Sequence, residues 1–320
     1  MTQSDTQNVP EFSVIVTSYF EEKSITEYTD RLLATLRGMK RPFEVLLIND
    51  GSTDKTYDLH RQIFADNPEV THAIDFFRNG GQLAAMSAGV AHATGEKIVF
   101  IDSDLQLDPE DLPKLAAEYD KGYDIISGRR GNRKDSFLRK LPSKIANMVM
   151  AKVAGHSLTD FGCTFKIYNA KLVKPFDFGQ FKAWNTAFVF REAGKVKEIE
   201  VNHHARRYGE SGWTMTKLLS FLFDQATGLS RRPFMWLSLI SVALTGLVAL
   251  RLILLPLFDF RVMDRISNGL ILNVLLIVIL IQLATTSAIG EFLFRVYNRT
   301  EGDPIYTIKE HLQREWSSKK

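Results

Sequence analysis

The chain has 320 residues with 40 Lys plus Arg against 37 Asp plus Glu, enough for one large or two ordinary domains and only mildly basic. That balance excludes a protein that holds nucleic acid by bulk charge. A single cysteine, Cys163, excludes an intramolecular disulfide and any multi-cysteine metal site, and fits a domain folded in a reducing compartment.

In chain order, the opening MTQSDTQNVPEF has no basic segment followed by an apolar run, so it does not read as a secretory signal and the first domain is expected in the cytosol. Short apolar, β-branched runs come next: FSVIVT (Phe12 to Thr17), FEVLLI (Phe43 to Ile48), KIVFI (Lys97 to Ile101) and YDIIS (Tyr123 to Ser127). Bounded by turn residues, they read as buried parallel strands. Helical patterns lie between them. Ser24 and Glu27 have capping-box spacing before a helix to about Gly38, a second helix starts after Ser52 and ends near Asp66, Gly80-Gly81 opens a third, and Asp108-Pro109 a fourth. This alternation predicts an open α/β sheet, with ligands bound beyond the carboxyl ends of its strands.

From Ser136 to Ala154, Phe137, Leu141, Ile145, Met148, Val149 and Val153 recur at helical spacing with Arg139, Lys140 and Lys144 between them. Trp213 to Leu229 is a second amphipathic segment. Each reads either as a core helix or as a helix lying on a bilayer, and the long apolar runs C-terminal to them favour the bilayer. Phe234 to Leu257 is apolar except for Arg251, and Ile266 to Gly290 carries no charge. At ~1.5 Å per residue each exceeds the ~30 Å of a hydrocarbon core, and Arg251 sits where it can snorkel to the far interface. The expected organisation is a cytosolic catalytic domain (1–210), an amphipathic juxtamembrane segment (211–232), a transmembrane hairpin (233–294, spans near 234–257 and 268–290) and a cytosolic tail (295–320). Arg231 and Arg232 before the hairpin, and Arg295, Arg299 and Lys309 after it, place both termini in the cytosol by the positive-inside rule. A buried helical hairpin in a soluble protein is the competing reading.

The chemistry narrows by elimination. No GxGxxG fingerprint follows the first strand and no GxxxxGK[ST] loop occurs, which disfavours dehydrogenases and P-loop ATPases. Acidic strand ends remain: Asp50 in INDGS, and Asp102 with Asp104 in IDSDLQ. Residues two apart on a strand share a face, so Asp102 and Asp104 present two mutually repelling carboxylates to one point, which a hard divalent cation bound to substrate phosphates relieves. Asp108, Glu110 and Asp111 read instead as the acidic start of a helix. Between Arg129 and Lys144, seven basic residues face one acid, Asp135. A solvated helix face is the plain account; beside a membrane anchor, the block also suits an anionic lipid head group, with Arg139 and Ser143 one turn apart on one face.

GRR at 128–130, IDSDLQLDPEDLP, NDGS at 49–52, RKDSFLRKLPSKIAN at 133–147, TDFGCTFKIYNAKLV at 159–173 and ARRYGESGW at 205–213, followed by two membrane helices, together resemble the polyprenyl-phosphate glycosyltransferases of glycosyltransferase family 2. The resemblance is nearest to bacterial undecaprenyl-phosphate sugar transferases and more distant to dolichol-phosphate mannose synthase. It implies a GT-A nucleotide-diphospho-sugar fold, a nucleotide-sugar donor, with UDP favoured, inversion at the anomeric carbon, Mg²⁺ or Mn²⁺, a homotetramer and the bacterial cytoplasmic membrane. By matching motif it implies nucleoside contacts at Glu21 and Asp50, ribose, metal and diphosphate contacts at Asp102 and Asp104, and Gln106 at the metal. It also implies lipid-phosphate contacts at Arg129, Arg139 and Ser143, a loop arginine closing on the diphosphate at Arg206, and Asp160 near the sugar. The chain departs from the family pattern at Thr17 and Phe20 (Pro and Asn of PxYNE), Asn49 (Asp of DDGS) and Gly212 (Lys after GES).

A phosphate-monoester acceptor, a dianion at neutral pH, needs no general base, in keeping with a chain whose His203 and His204 read as structural. A processive polysaccharide synthase shares the sheet and DxD, but by analogy carries a QxxRW motif that is missing here. A catalytically dead membrane scaffold predicts loss of the acidic pair that this chain retains.

Overall fold

The computed structural model describes residues 9–131, 151, 154–176, 178, 184–205, 243–244, 264–301 and 304–317. The chain divides into two compact units, Met1–Lys217 with Pro304–Lys320, and Leu218–Asp303.

The first unit is built on an eight-stranded open sheet of order β7-β5-β6-β4-β1-β2-β3-β8. The apolar runs supply three central strands, β1 (Phe12–Ser18), β2 (Phe43–Asn49) and β4 (Lys97–Asp102), and a fourth nearer one edge, β5 (Ile125–Arg130). β1 lies between β2 and β4, parallel to both, and β3 (Val70–Phe76) continues the parallel set beyond β2. β6 (Lys166–Asn169) runs antiparallel between β4 and β5, and β7 (Val196–Val201) extends the sheet parallel to β5. Within the 295–320 stretch expected as a tail, Ile308–Gln313 is instead β8, antiparallel to β3. Its sequence, IKEHLQ, has no apolar run; pairing with β3 makes it a strand, and Trp316 Nε1–H donating to the Phe43 carbonyl at 2.9 Å ties down the residues beyond it.

Helices α1 (Ile25–Met39), α2 (Thr56–Asp66), α3 (Gln82–His92) and α4 (Leu112–Tyr119) connect the parallel strands, with α4 preceded by a 3₁₀ turn at Pro109–Asp111. Short helices α5 (Ala170–Val173) and α6 (Thr186–Glu192) follow β6. Ile25, Tyr28, Leu32, Leu33 and Leu36 of α1 recur at helical spacing and are buried in one core with Val14, Val16, Val45 and Leu47. On α3, Gly89 lets the helix approach β1 closely, since a Cβ there would stand 2.9 Å from Ile15 Cδ1.

Sheet order reverses between β4 and β1, where β1 has β2 on one side and the later β4 on the other. In an open α/β sheet this switch point leaves a crevice at the carboxyl ends of the strands, where ligands bind. In the second unit, α7 (Asp264–Glu301) runs for 38 residues and exposes Leu275, Leu280, Leu283 and Leu293. Among the described residues no helix is long and apolar enough to cross a membrane. The expected span at 234–257, apart from 243–244, and nearly all of the two amphipathic segments lie outside the described residues.

Candidate active site

Three strand ends meet at the switch point. After β1 the chain turns through Tyr19 and Phe20, with Phe20 in the left-handed region (φ 57°). The Phe20 N–H donates to Ser52 Oγ at 3.0 Å and the Glu21 N–H to Thr56 Oγ1 at 3.0 Å, binding this loop to the one after β2. Glu21 stands at the start of α1, where its carboxylate accepts the Ser24 hydroxyl. That bond displaces the expected capping box: Ser24 makes no side-chain cap of α1, because its hydroxyl is turned back to Glu21.

Asp50, buried just past β2, accepts Gly80 N–H at 2.7 Å, Gly81 N–H at 3.0 Å and Asn79 Nδ2–H at 2.9 Å. Its carboxylate thus holds the loop that opens α3. Burial pushes its pKa up to about 6 against the pull of the two glycine N–H groups. Gly51 is required beside it: φ is +69°, and a Cβ would stand 2.7 Å from Asn79 N. Asn49, the departure from DDGS, donates Nδ2–H to buried Asp75 at 2.6 Å and accepts Ser52 Oγ–H at 2.6 Å. An aspartate at 49 would set two buried carboxylates against each other, so the amide suits this surrounding.

Asp102 closes β4. Its Oδ1 accepts Gln82 Nε2–H at 2.8 Å and Thr17 Oγ1–H at 3.3 Å, and its Oδ2 accepts Thr164 Oγ1–H at 2.5 Å. Burial and then the Asp104 charge push its pKa up, against those three donors. Asp104 is itself buried and accepts the Gln106 N–H at 3.1 Å, so Gln106 is tied by its backbone to the acidic pair. Leu105 between them is left-handed (φ 59°) with its side chain in the core. A conformation that costs ~1–2 kcal/mol is held by burying a leucine, and the turn it makes brings the Gln106 N–H back to the Asp104 carboxylate.

Behind this pair lie two buried groups. Tyr28 has a hydroxyl with no hydrogen-bond partner among the described residues, and burial followed by the charges of Asp102 and Asp104 pushes its pKa up. Lys166 on β6 donates Nζ–H to the carbonyls of Phe161, at 3.2 Å, and Cys163, while burial pulls its pKa down. It fastens the TDFGC loop that delivers Thr164 to Asp102.

At β5 the adjacent arginines diverge, as strand residues must. Arg129 pairs with Glu200 of β7 at 2.7 Å. Arg130 grips Asp160 in a fork, Nε–H to Oδ2 at 2.8 Å and NH2 to Oδ1 at 2.7 Å, with side chains only 18% and 6% exposed. Asp160 is thus fixed to β5. The acids expected to start α4 make longer-range links: Asp108 and Glu110 pair with Arg31, Asp108 also with His204 at 2.8 Å, and Asp111 accepts the Asn202 N–H at 2.7 Å. Neither Asp108 nor Asp111 makes a side-chain cap bond. Arg139, Ser143 and Arg206 lie outside the described residues.

The site therefore brings Asp50, Asp102, Asp104 and Gln106 to one sheet edge, with Glu21 at the neighbouring loop. Sequence reasoning missed Gln82, Thr164, Arg130, Tyr28 and Lys166. Only Arg130 had a local signal, the two-residue strand period that turns it away from Arg129. Two carboxylates two residues apart, Asp104 buried and Asp102 with its pKa pushed up by burial and then by the Asp104 charge, fit a hard divalent cation bound to phosphate oxygens.

Residues 13–176 match the family described as Glycosyl transferase family 2. The chain is 32% identical over 310 residues to an undecaprenyl-phosphate 4-deoxy-4-formamido-L-arabinose transferase of Photorhabdus laumondii subsp. laumondii, covering 95% of each protein. It is 33% identical to the protein of that name from Pectobacterium atrosepticum, over 96% of this chain and 94% of the relative. Among solved structures it is similar to glucosyl-3-phosphoglycerate synthase of Mycobacterium tuberculosis, with 18% identity and a TM-score of 0.49 over 70% of this chain and 78% of that one.

Proposed function

Because the chain belongs to glycosyltransferase family 2 and is a glycosyltransferase with a mixed α/β, open-sheet GT-A domain, we propose that it moves a sugar from a nucleotide-sugar donor, a UDP-sugar in the first instance, to undecaprenyl phosphate. The observation that carries this reading is the Asp102–Asp104 pair at the switch point of a chain that aligns nearly end to end with undecaprenyl-phosphate sugar transferases. The membrane location rests on the charge-free run Ile266 to Gly290 and the apolar side chains that α7 exposes. The catalytic domain and both termini then face the cytosol.

In this reading Asp50 and Glu21 receive the nucleoside, and Asp102 orients the ribose and diphosphate while Gln82, Thr17 and Thr164 fix its rotamer. Asp104, with Asp102 and Gln106, would hold Mg²⁺ or Mn²⁺. When bound, that cation neutralises the charge growing on the departing nucleoside diphosphate. Arg129, Arg139 and Ser143 hold the lipid phosphate and Arg206 closes on the diphosphate. One oxygen of the acceptor dianion bonds to the anomeric carbon from the face opposite the leaving group. The bond from that carbon to the diphosphate breaks, its electron pair leaves with the nucleoside diphosphate, and the centre inverts. No proton is removed from the acceptor, so the site requires no general base.

The test incubates purified full-length protein with undecaprenyl phosphate, Mg²⁺ and a panel of labelled UDP-sugars, following label into the organic phase. At least one donor is expected to label the lipid, and Asp104→Ala to lower the rate by about 10³-fold or more, the scale on which removing one charge-stabilising group acts. Absence of lipid-linked product from every donor, or a wild-type rate in Asp104→Ala, sinks the proposal.

A further inference from the structure

Away from the crevice, three histidines from distant parts of the chain converge: His72 on β3, His92 at the end of α3 and His311 on β8. Each can turn one ring nitrogen inward, and those three atoms lie within 4.8 Å of one another. His72 Nδ1 and His311 Nε2 are 2.9 Å apart, and the ring centroids stand 4.6 Å (His92–His311), 5.2 Å (His72–His311) and 5.4 Å (His72–His92) from each other.

The cluster is separate from the donor crevice. His72 lies near the amino end of β3, whereas Asp50 and Asp102 stand at the carboxyl ends of the parallel strands. α3 begins at the glycines held by Asp50 and, at ~1.5 Å per residue, carries His92 about 16 Å back along the sheet.

We infer that His72, His92 and His311 form a three-histidine site for a divalent transition-metal ion of the zinc class, which fastens the C-terminal strand β8 to β3 and α3. Zinc–nitrogen bonds of ~2.0–2.1 Å in a tetrahedron put ligand nitrogens about 3.3–3.4 Å apart, so rotamer adjustments of about an ångström convert the observed triangle into a coordination set. Imidazole is the ligand that suits zinc, copper and nickel, and a triad of imidazoles without carboxylate argues against a hard ion such as Mg²⁺. Burial lowers the pKa of all three, with charge repulsion among the rings adding to it at His72 and His92, and this keeps the rings in the neutral form that ligates. The nearby Glu44 carboxylate pulls His72 the other way. Glu44 is already engaged by Ser13 Oγ–H at 2.5 Å, Thr71 Oγ1–H at 2.9 Å and Thr94 N–H at 2.7 Å. Among the described residues the three imidazoles make up the ligand set, and the fourth position goes to water. An ion here joins residues separated by more than two hundred positions in sequence, so it closes a loop that spans most of the chain.

The test uses full-length protein without a polyhistidine tag, in detergent, stripped with chelator and held in excess Mg²⁺ so that the acidic pair does not take up the probe. Added Co²⁺ is expected to give the intense visible bands of a tetrahedral centre at about one ion per chain, and Zn²⁺ to abolish them and raise the melting temperature. His92→Gln and His311→Gln are each expected to lose the bands and the Zn²⁺-dependent rise. Their melting temperatures without metal, close to that of the unsubstituted protein, establish that they fold. Octahedral Co²⁺ spectra only, or bands and stabilisation that persist in both variants, would overturn the assignment and leave the cluster as a hydrogen-bonded histidine group.

Discussion

Asp50→Asn sets two opposed effects against each other at one carboxylate. With its pKa at about 6 instead of 3.8, keeping Asp50 ionised at neutral pH costs the folded state about 3 kcal/mol, at ~1.4 kcal/mol for each unit of pKa. The folded value lies above the unfolded one, so the favourable contribution is complete below pH 3.8 and is lost as pH rises through about 6. Between about pH 4.5 and 7.5 that loss amounts to about 2 kcal/mol. Asparagine carries no charge and is flat over this range, but it turns an amide donor toward one of the N–H groups of Asn79, Gly80 or Gly81 that Asp50 accepts. One buried donor left unsatisfied costs ~1–3 kcal/mol at every pH. The variant should therefore melt clearly below the unsubstituted protein at pH 4.5 and close to it at pH 7.5. At ~2–4 °C per kcal/mol for a unit of this size, the difference between the two melting temperatures should change by about 4–8 °C. Intrinsic fluorescence on ligand-free full-length protein in detergent reads it directly. A difference that stays constant with pH, or grows toward neutrality, refutes the assignment of a buried, raised carboxylate at Asp50.

Three further substitutions have outcomes fixed by geometry. Arg130→Met leaves the Asp160 carboxylate buried without its fork, and should lower stability by about 3–5 kcal/mol in denaturant unfolding; a loss below about 1 kcal/mol would mean that the pair is solvated. Gly51→Ala forces a Cβ against the Arg78 and Asn79 backbone at a left-handed φ, a cost of about 2–5 kcal/mol that should appear as a lower melting temperature together with weaker nucleotide binding. Phe20→Asn places a residue that tolerates φ 57° where a 49%-exposed phenylalanine now stands. It should raise stability by about 1 kcal/mol, and an unchanged melting temperature would show that the loop relaxes without strain.

The parts of the sheet that read clearly in the sequence are those buried on both faces. β1, β2 and β4 are largely apolar runs and β5 opens with the buried pair Ile125 and Ile126, so the pattern finds them within a few residues. β3 is interrupted by Thr71, His72 and Asp75, β6 has only four residues, and β7 and β8 are edge strands with charged faces. Pairing decides these, and pairing is not local. The same distinction holds at the site. Asp102 and Asp104 announce themselves because two residues of one strand end carry the signal. Thr164 and Gln82 reach Asp102 from other segments, so no local pattern marks their contacts. Local cues also failed where another partner competed: Ser24 bonds Glu21, three residues before it, instead of capping α1, and Asp108 bonds the distant Arg31 and His204 instead of capping the turn before α4. His72, His92 and His311 gather only because β8 returns to the sheet from the far end of the chain.

The central claim is that a glycosyl group alone, without phosphorus, passes to the lipid phosphate at the Asp102–Asp104 crevice. Its most direct measurement identifies the nucleotide released during turnover with undecaprenyl phosphate and a UDP-sugar, alongside the ³¹P spectrum of the lipid product. The account predicts UDP and a single-phosphorus diester. UMP and a lipid diphosphate would contradict it.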